Sequence, residues 1–478
     1  MGRAGRVLLV LVVLGIALRI LAAIGSWPTM QTLQDGYQLY AKSNPFADPQ
    51  HPAGYALIIA TVGAVTRQVA ALIVLQHVFG IVSALLMMAA TRRITGSAWA
   101  GLLPAAMILL GADHIFLEHV VMSESWEVLA CSVGLYTAVR ALDERVPWWR
   151  WPLLTGVILG MAVVIRSAAL PLVAVAVLAM IVYRGPGSEH RLLWWRAPLA
   201  SAGAAILVLL AFGAANARFG QGFEIAPSPG WYLYGQAAQF ADCKQFRPPP
   251  GTAVLCETRP ESQRPGYYKY LFDPHAPAPH HFGTIGSNDG VVGGWARRAL
   301  LAQFGDYLGA AWVYLRAYWV PGSLPARLRS GNGGLDPQVD FTFGNPVFAP
   351  AVKISLESYF SPFAVHTQHG TLQLLHDWQR VVRFGATALF ITTVLTLVGL
   401  IIGTRRSRAA VILFGLGGLS LIVAPVLVGN YTGRFTVPMA GPLMAGAAVT
   451  ILEAWRQYGT AASERSQTRP MHRSRTAS

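Results

Sequence analysis

An all-α polytopic membrane protein is the fold class this sequence predicts, and three observations predict it. Hydrophobic residues make up 54% of the chain and charged ones only 12%, against about a quarter charged in water-soluble domains. Apolar runs long enough to cross a bilayer, about 20 residues each, recur along the chain. Arginines gather in every second connection between those runs. The expected architecture is a bundle of roughly ten transmembrane helices, with a juxtamembrane helix in the first outer loop and a long extracytoplasmic segment between spans seven and eight. The formal charge of +15 comes almost wholly from arginine. In a soluble protein it would suggest nucleic acid. Here the placement of the arginines accounts for it, and no nucleic-acid partner is expected.

The spans are read at 7–24, 70–90, 97–112, 120–140, 151–165, 168–183, 196–214, 382–403, 409–429 and 435–454. The first is expected to remain as an uncleaved span, being longer than a signal's apolar core and lacking a clean small-residue cleavage site. The run 53–66, opened by Pro52, is too short for a full crossing and reads as a surface or re-entrant helix. With the N-terminus inside, the cytoplasmic connections carry Arg3 and Arg6, Arg92 and Arg93, Arg140, Arg145 and Arg150, and Arg184, Arg191 and Arg196. Arg405, Arg406, Arg408 and a basic tail after Arg456 continue the series, while the short outer connections hold little beyond Arg67, Arg166 and Arg434. Counting 53–66 as a span would break this alternation. The arginine-rich flanks of 151–183 make it a hairpin turning at Arg166, with Trp148, Trp149 and Trp151 anchoring its inner end at the interface.

Four parts follow: an N-terminal transmembrane module over 1–214, an extracytoplasmic segment over 215–381, C-terminal transmembrane helices over 382–455 and a disordered cytoplasmic tail over 456–478. In the outer segment, Trp295, Leu300, Phe304, Leu308, Ala311, Leu315 and Trp319 recur at helical spacing and predict one amphipathic helix on the membrane or the bundle. Cys243 and Cys256 share this segment, so an oxidising exterior predicts a disulfide between them; Cys131 reads as a small core residue.

Charges at the edge of hydrocarbon are costly and each needs an account. Asp35 lies in Leu33-Gln34-Asp35-Gly36-Tyr37. It reads either as a loop acid capping a helix or as a general base for an acceptor hydroxyl. His51, before Pro52, is by itself an ordinary loop histidine. Glu118 and His119 precede the fourth span, and Glu124 and Glu127 share one face of its first turns. Acids there satisfy a helix N-terminus, but two are more than the dipole needs, which favours a metal ligand or a substrate contact. Arg166 and Arg434 stand at outer span ends and suit an oxyanion, because the guanidinium fork binds phosphate bidentately. Arg19 is expected to snorkel to headgroups. His275, His280 and His281 lack ligand spacing, and the sequon Asn430-Tyr431-Thr432 hugs the membrane. Acids beside arginines on one face describe transfer of a group away from a phosphate, and a donor on the outer face would have to be lipid-linked.

Together these segments resemble the GT-C superfamily of polyprenyl-phosphate-sugar-dependent glycosyltransferases, especially its protein-mannosyltransferase and aminoarabinose-transferase branch. Asp35, Tyr37, Tyr40, Ala41, His51, Pro52 and Tyr55 stand in the order of that family's first-loop acid and juxtamembrane helix. Arg92, Arg93 and Gly96 look like its basic pair, Glu124 like its later acid, Arg166 like its fifth–sixth turn, and Arg434-Phe435-Thr436-Val437-Pro438 like the opening of its late span. The resemblance covers about the first 185 residues and the final spans. It implies a GT-C-like bundle and inverting transfer of a hexosyl or pentosyl group from a polyprenyl-phosphate sugar. Asp35 would be the base, and Arg166 and Arg434 would hold the carrier phosphate. Glu124, His51 and Glu118 would contact substrate or a metal. The family's first-loop acid is often one of an acidic pair, whereas Gly36 follows Asp35, and divalent-metal use is left open. The arginine-, alanine- and glycine-rich usage suggests a bacterial plasma-membrane protein, with glycan, lipid and protein acceptors all open. The rival class is a transporter or flippase of lipid-linked glycans. It predicts internal repeats and midplane polar sites, and the sequence shows neither. A non-catalytic assembly subunit would make Asp35, Arg166 and Arg434 individually dispensable.

Overall fold

The computed structural model describes residues 2–30, 35–142, 149–184, 194–220, 222–329, 340–341, 349–429 and 431–467. Helix α1 (Arg3–Gly25) runs into strand β1 (Ser26–Trp27), and the first loop carries α2 (Tyr37–Lys42) and α3 (Gly54–Val65). The bundle continues with α4 (Val69–Thr95), α5 (Ala98–Leu110), α6 (Ala112–Glu118), α7 (Glu124–Ala141), α8 (Arg150–Ile165), α9 (Leu170–Arg184) and α10 (Arg196–Phe219). Shorter helices follow: α11 (Pro229–Ala237), α12 (Tyr267–Phe272), α13 (Pro277–Phe282), α14 (Asp289–Ala302), α15 (Phe304–Arg316) and α16 (Ala349–Glu357). Strand β2 (His366–Thr367) then leads to α17 (His369–Val381), α18 (Ala386–Ile402), α19 (Arg405–Val411), α20 (Gly417–Val428) and α21 (Thr436–Gln467). β1 and β2 pair antiparallel, Ser26 opposite Thr367 and Trp27 opposite His366, tying the end of the first helix to the start of α17.

Among the described residues, seven helices are long and apolar enough to cross a membrane: Arg3–Gly25, Val69–Thr95, Ser167–Arg184, Arg196–Phe219, His369–Ile402, Arg405–Val428 and Gly433–Gln457. α5 and α6 form an eighth if taken as one span bent by 52°. α7 and α8, where the sequence predicted two further spans, are helical but fall short by this measure. α7 carries Glu124, Glu127 and Arg140, and α8 has 16 residues. The fold is therefore a multi-pass all-α membrane protein. Leu9, Val10 and Val13 of α1, Leu207 of α10 and Ile401 of α18 point outward, an arrangement that only a lipid surround makes favourable. Small residues let the helices approach. A Cβ at Gly156 would strike the Ser201 carbonyl of α10, and one at Gly54 would strike the Val164 carbonyl of α8. The second contact seats the short α3 against the bundle, below the first-loop acid.

Several expectations change. Arg19 does not snorkel: it is 4% exposed and grips Glu118 with two bonds of 2.7 Å. A carboxylate buried at the same depth outcompetes headgroups for it. The single amphipathic helix is two, broken at Gln303, whose backbone leaves helical geometry (φ −126°, ψ 47°). Gln303 Oε1 there accepts from Asp242 N at 2.8 Å. Trp295 is buried inside the outer segment, whereas Phe304, Leu308 and Trp312 face outward. α21 continues to Gln467, past the expected start of the tail, because polar composition ends a span without ending a helix. Trp148, Arg145, Arg191 and Asn430 lie outside the described residues.

Candidate active site

The cluster is assembled from four places in the chain. Gly36, in the left-handed conformation at φ 76°, turns the backbone between Asp35 and α2, a turn that suits glycine best. α7 opens on Glu124, α8 ends on Arg166 in extended geometry, and Arg434 sits in the single turn before α21. Each acid or base thus stands at the end of a helix, where backbone irregularity is already required.

Arg434 Nη1 donates to both Asp35 oxygens, at 3.2 Å (Oδ1) and 2.9 Å (Oδ2). Its Nε lies 3.5 Å from Glu124 Oε1, so one guanidinium bridges two acids. Glu124 Oε1 also pairs closely with Arg166 Nη1. Arg166 reaches Glu127 Oε2 with Nε at 3.5 Å, donates from Nη1 to Ser123 Oγ at 3.3 Å, and lies 5.1 Å from the Phe435 ring centroid. Tyr37 shares the same hydroxyl, its OH 3.2 Å from Ser123 Oγ. Two partly buried arginines therefore face three acids. The side-chain oxygens of Glu124 and Glu127 and Arg434 Nε are buried yet make no hydrogen bond among the described residues. Buried polar atoms are almost always satisfied in a finished structural network.

His51 enters from the first loop. Its Nδ1 is 3.1 Å from Asp48 Oδ2, and Asp48 Oδ1 accepts the backbone N–H groups of Gln50 (2.8 Å) and His51 (3.2 Å). Asp48 thereby fixes the ring, which packs on Tyr37 at 4.6 Å and turns Nε2 toward Asp35 Oδ2 at 3.9 Å. Burial raises the Asp35 carboxyl, but the charges of Arg434, His51 and Arg166 outweigh it, holding the group below the usual aspartate value. Burial pushes the Tyr37 phenol well above its ordinary value.

Glu118 is placed elsewhere. Both its oxygens are engaged by Arg19, and Oε2 also meets His77 Nδ1 at 2.9 Å. His77 Nε2 continues to His119 Nδ1 at 2.9 Å, and His119 Nε2 to the Ser26 carbonyl at 2.5 Å. Among the described residues no group of three or more His, Cys, Asp and Glu is arranged to hold a metal ion. Cys243 and Cys256 form a disulfide with a Cα separation of 5.9 Å, and Cys131 is buried. His280 and His281 touch each other in α13. Sequence reasoning missed Asp48, Ser123 and His77. The Asp-x-x-His spacing of Asp48 and His51 was the one readable signal, since the i, i+3 offset lets a turn bring them together.

The opposite ends of the same helices are basic. α7 runs from Glu124 to Arg140, and α21 from the Arg434 turn past Arg456. Residues 37–224 match the family dolichyl-phosphate-mannose-protein mannosyltransferase. The GT-C resemblance holds over that segment. It contains His51, Glu124 and Arg166, whereas Asp35 and Arg434 flank it. Solved structures of the oligosaccharyltransferase from the archaeon Archaeoglobus fulgidus also align. One, AglB in complex with an inhibitory peptide and a dolichol-phosphate, is 13% identical, covered over 98% of this chain and 52% of that one, with a TM-score of 0.39. Another, in complex with Zn and sulfate, is 14% identical over 96% and 50%, with a TM-score of 0.38. The chain spans about half the length of these oligosaccharyltransferases. No curated protein matches the sequence.

Proposed function

We propose that the chain is a GT-C glycosyltransferase of a bacterial plasma membrane. It moves a hexosyl or pentosyl unit from a polyprenyl-phosphate donor to an acceptor hydroxyl on a glycan, lipid or protein. Its ten-span topology puts both termini in the cytoplasm and the Asp35 cluster outside, because the arginine-rich helix ends lie at the other pole. The observation that carries this reading is Arg434 bridging Asp35 and Glu124, with Arg166 alongside and the buried Glu124 Oε2 and Glu127 Oε1 without a partner among the described residues.

That bridge sets the order of events. Without donor, Arg434 occupies the Asp35 carboxylate. A donor phosphate brings oxygens that compete for Arg434 and Arg166, and Arg434 shifts from Asp35 toward them. The freed Asp35 then accepts the acceptor's hydroxyl proton as its oxygen attacks the anomeric carbon. The carbon–oxygen bond to phosphate breaks, the configuration inverts in this single displacement, and polyprenyl phosphate leaves held by the two arginines. Glu124 and Glu127 keep the arginines in place between turnovers, and Asp48 holds His51 beside the base.

Asp35→Asn tests the reading directly. Transfer of labelled sugar from a polyprenyl-phosphate donor should be lost while membrane expression stays normal, and near-normal transfer by this variant refutes the assignment. A wild-type protein that moves the lipid-linked sugar across proteoliposomes without acceptor would instead identify a flippase.

A further inference from the structure

We propose that the basic pole of the bundle holds an anionic phosphate-headed membrane lipid, at a site separate from the Asp35 cluster. A cavity of about 810 Å³ opens there among α1, α4, α7 and α9, a size typical of small-molecule sites. Its polar rim includes Arg92 and Arg93 from the last turn of α4 and Arg406 from α19; its walls include Leu85, Met88 and Leu142. No acidic residue lines it among the described residues.

Basic residues at this pole have an ordinary explanation, since cations suit helix C-termini. Most of the arginines here fit it by closing on free carbonyls. Arg184 donates to Ala141 O at 2.7 Å, Arg405 to Val182 O at 2.8 Å, Arg408 to Leu400 O at 2.9 Å and Arg456 to Thr95 O at 2.6 Å. Arg92, on the cavity rim, is used differently. The Arg92 guanidinium has no hydrogen-bond or ion-pair partner among the described residues. Arg406 Nη2 reaches the Arg93 carbonyl at 3.1 Å, which draws the α19 guanidinium to the end of α4. Positive groups from two helices thus converge over a hollow whose walls are partly apolar. That combination fits a ligand with an anionic phosphate at one end and hydrocarbon at the other. A soluble phosphate would gain nothing from the walls, and a zwitterionic lipid gains less from the rim. The assignment rests on the helices spanning a membrane and is independent of what the Asp35 cluster catalyses.

The test uses the full chain, purified in detergent, titrated with dioleoyl phosphatidic acid and with chain-matched phosphatidylcholine and read by native mass spectrometry. Retention of phosphatidic acid should exceed that of phosphatidylcholine by about fivefold or more, as about 1 kcal/mol per surface arginine implies. Arg92→Gln with Arg406→Gln should abolish the preference, and Arg408→Gln should leave it intact. A diazirine-bearing phosphatidic acid should label the stretch around Leu85 and Met88, a readout that stands even if the double variant folds poorly. Equal retention of both lipids, an unchanged preference in a folded double variant, displacement by millimolar inorganic phosphate, or labelling elsewhere would overturn the site.

Discussion

Two buried polar clusters lie near the same pole of the bundle, and they differ in how completely they are satisfied. In one, Arg19 donates to both Glu118 oxygens and to the carbonyls of Gly15 and Leu109, each at 2.9 Å, while His77 and His119 carry the network on to Ser26. In the other, Arg434 and Arg166 are shared among three acids, and carboxylate oxygens of Glu124 and Glu127 are left without hydrogen bonds. A closed network fixes helices against one another. An open one keeps buried polar atoms free to accept further partners. Both clusters contain a glutamate near the start of the fourth predicted span, so residue type and position do not separate them. Satisfaction does.

The contrast can be broken by substitution. Asp35→Asn should show the largest effect, a loss of transfer of about 100- to 10,000-fold with an unchanged melting temperature. Arg19→Ala should do the reverse, costing about 3–5 kcal/mol of stability by stranding Glu118, measured as reduced thermal stability in detergent. Replacing Arg19 and Glu118 together by Met and Leu should cost less than Arg19→Ala alone; equal or greater loss would mean the pair itself is needed. The pH profile sharpens the comparison further. Because Asp35 of the donor-free enzyme is held low by Arg434, kcat/KM for the donor should be flat from neutral pH downward, its acid limb falling below the ordinary aspartate value of roughly 3.9. Arg434→Ala removes the opposing charge, so any residual activity should titrate at higher pH. The smallest effect is expected from Ser123→Ala, which removes an acceptor from Arg166 and a partner from Tyr37. About 1 kcal/mol, or roughly a fivefold rise in donor KM with kcat preserved, should be measured.

Much of the bundle was legible in the sequence because its signal is one-dimensional: apolar length, which marks the helices long enough to cross a membrane. The run 53–66 was correctly read as too short, and the hairpin at Arg166 was marked by basic flanks on both sides. What failed depended on depth and partners. Arg19 and Glu118 are far apart in sequence, and nothing in either neighbourhood announces that α1 and α6 meet. The amphipathic spacing from Trp295 to Trp319 continues across Gln303, so periodicity alone cannot show a break imposed by a contact with Asp242. For the candidate site, Asp35, Glu124, Arg166 and Arg434 were named from their costly locations. That Arg434 would sit on Asp35 itself was not readable before the chain was folded.

The pairing of Ser26 with Thr367 and of Asp35 with Arg434 has a consequence for biosynthesis. Chains enter the membrane from the N-terminus, at about 5–20 residues per second. The first helix, its outer loop and the hairpin at Arg166 are therefore inserted well before the ribosome reaches Thr367 or Arg434. Throughout that interval Asp35 has no counter-ion from the last span, and the end of α1 has no strand to pair with. The nascent protein cannot bring the acid and its arginine together until nearly the whole chain has emerged, and a ribosome stalled after the family-matched segment leaves an inserted chain whose cluster is incomplete.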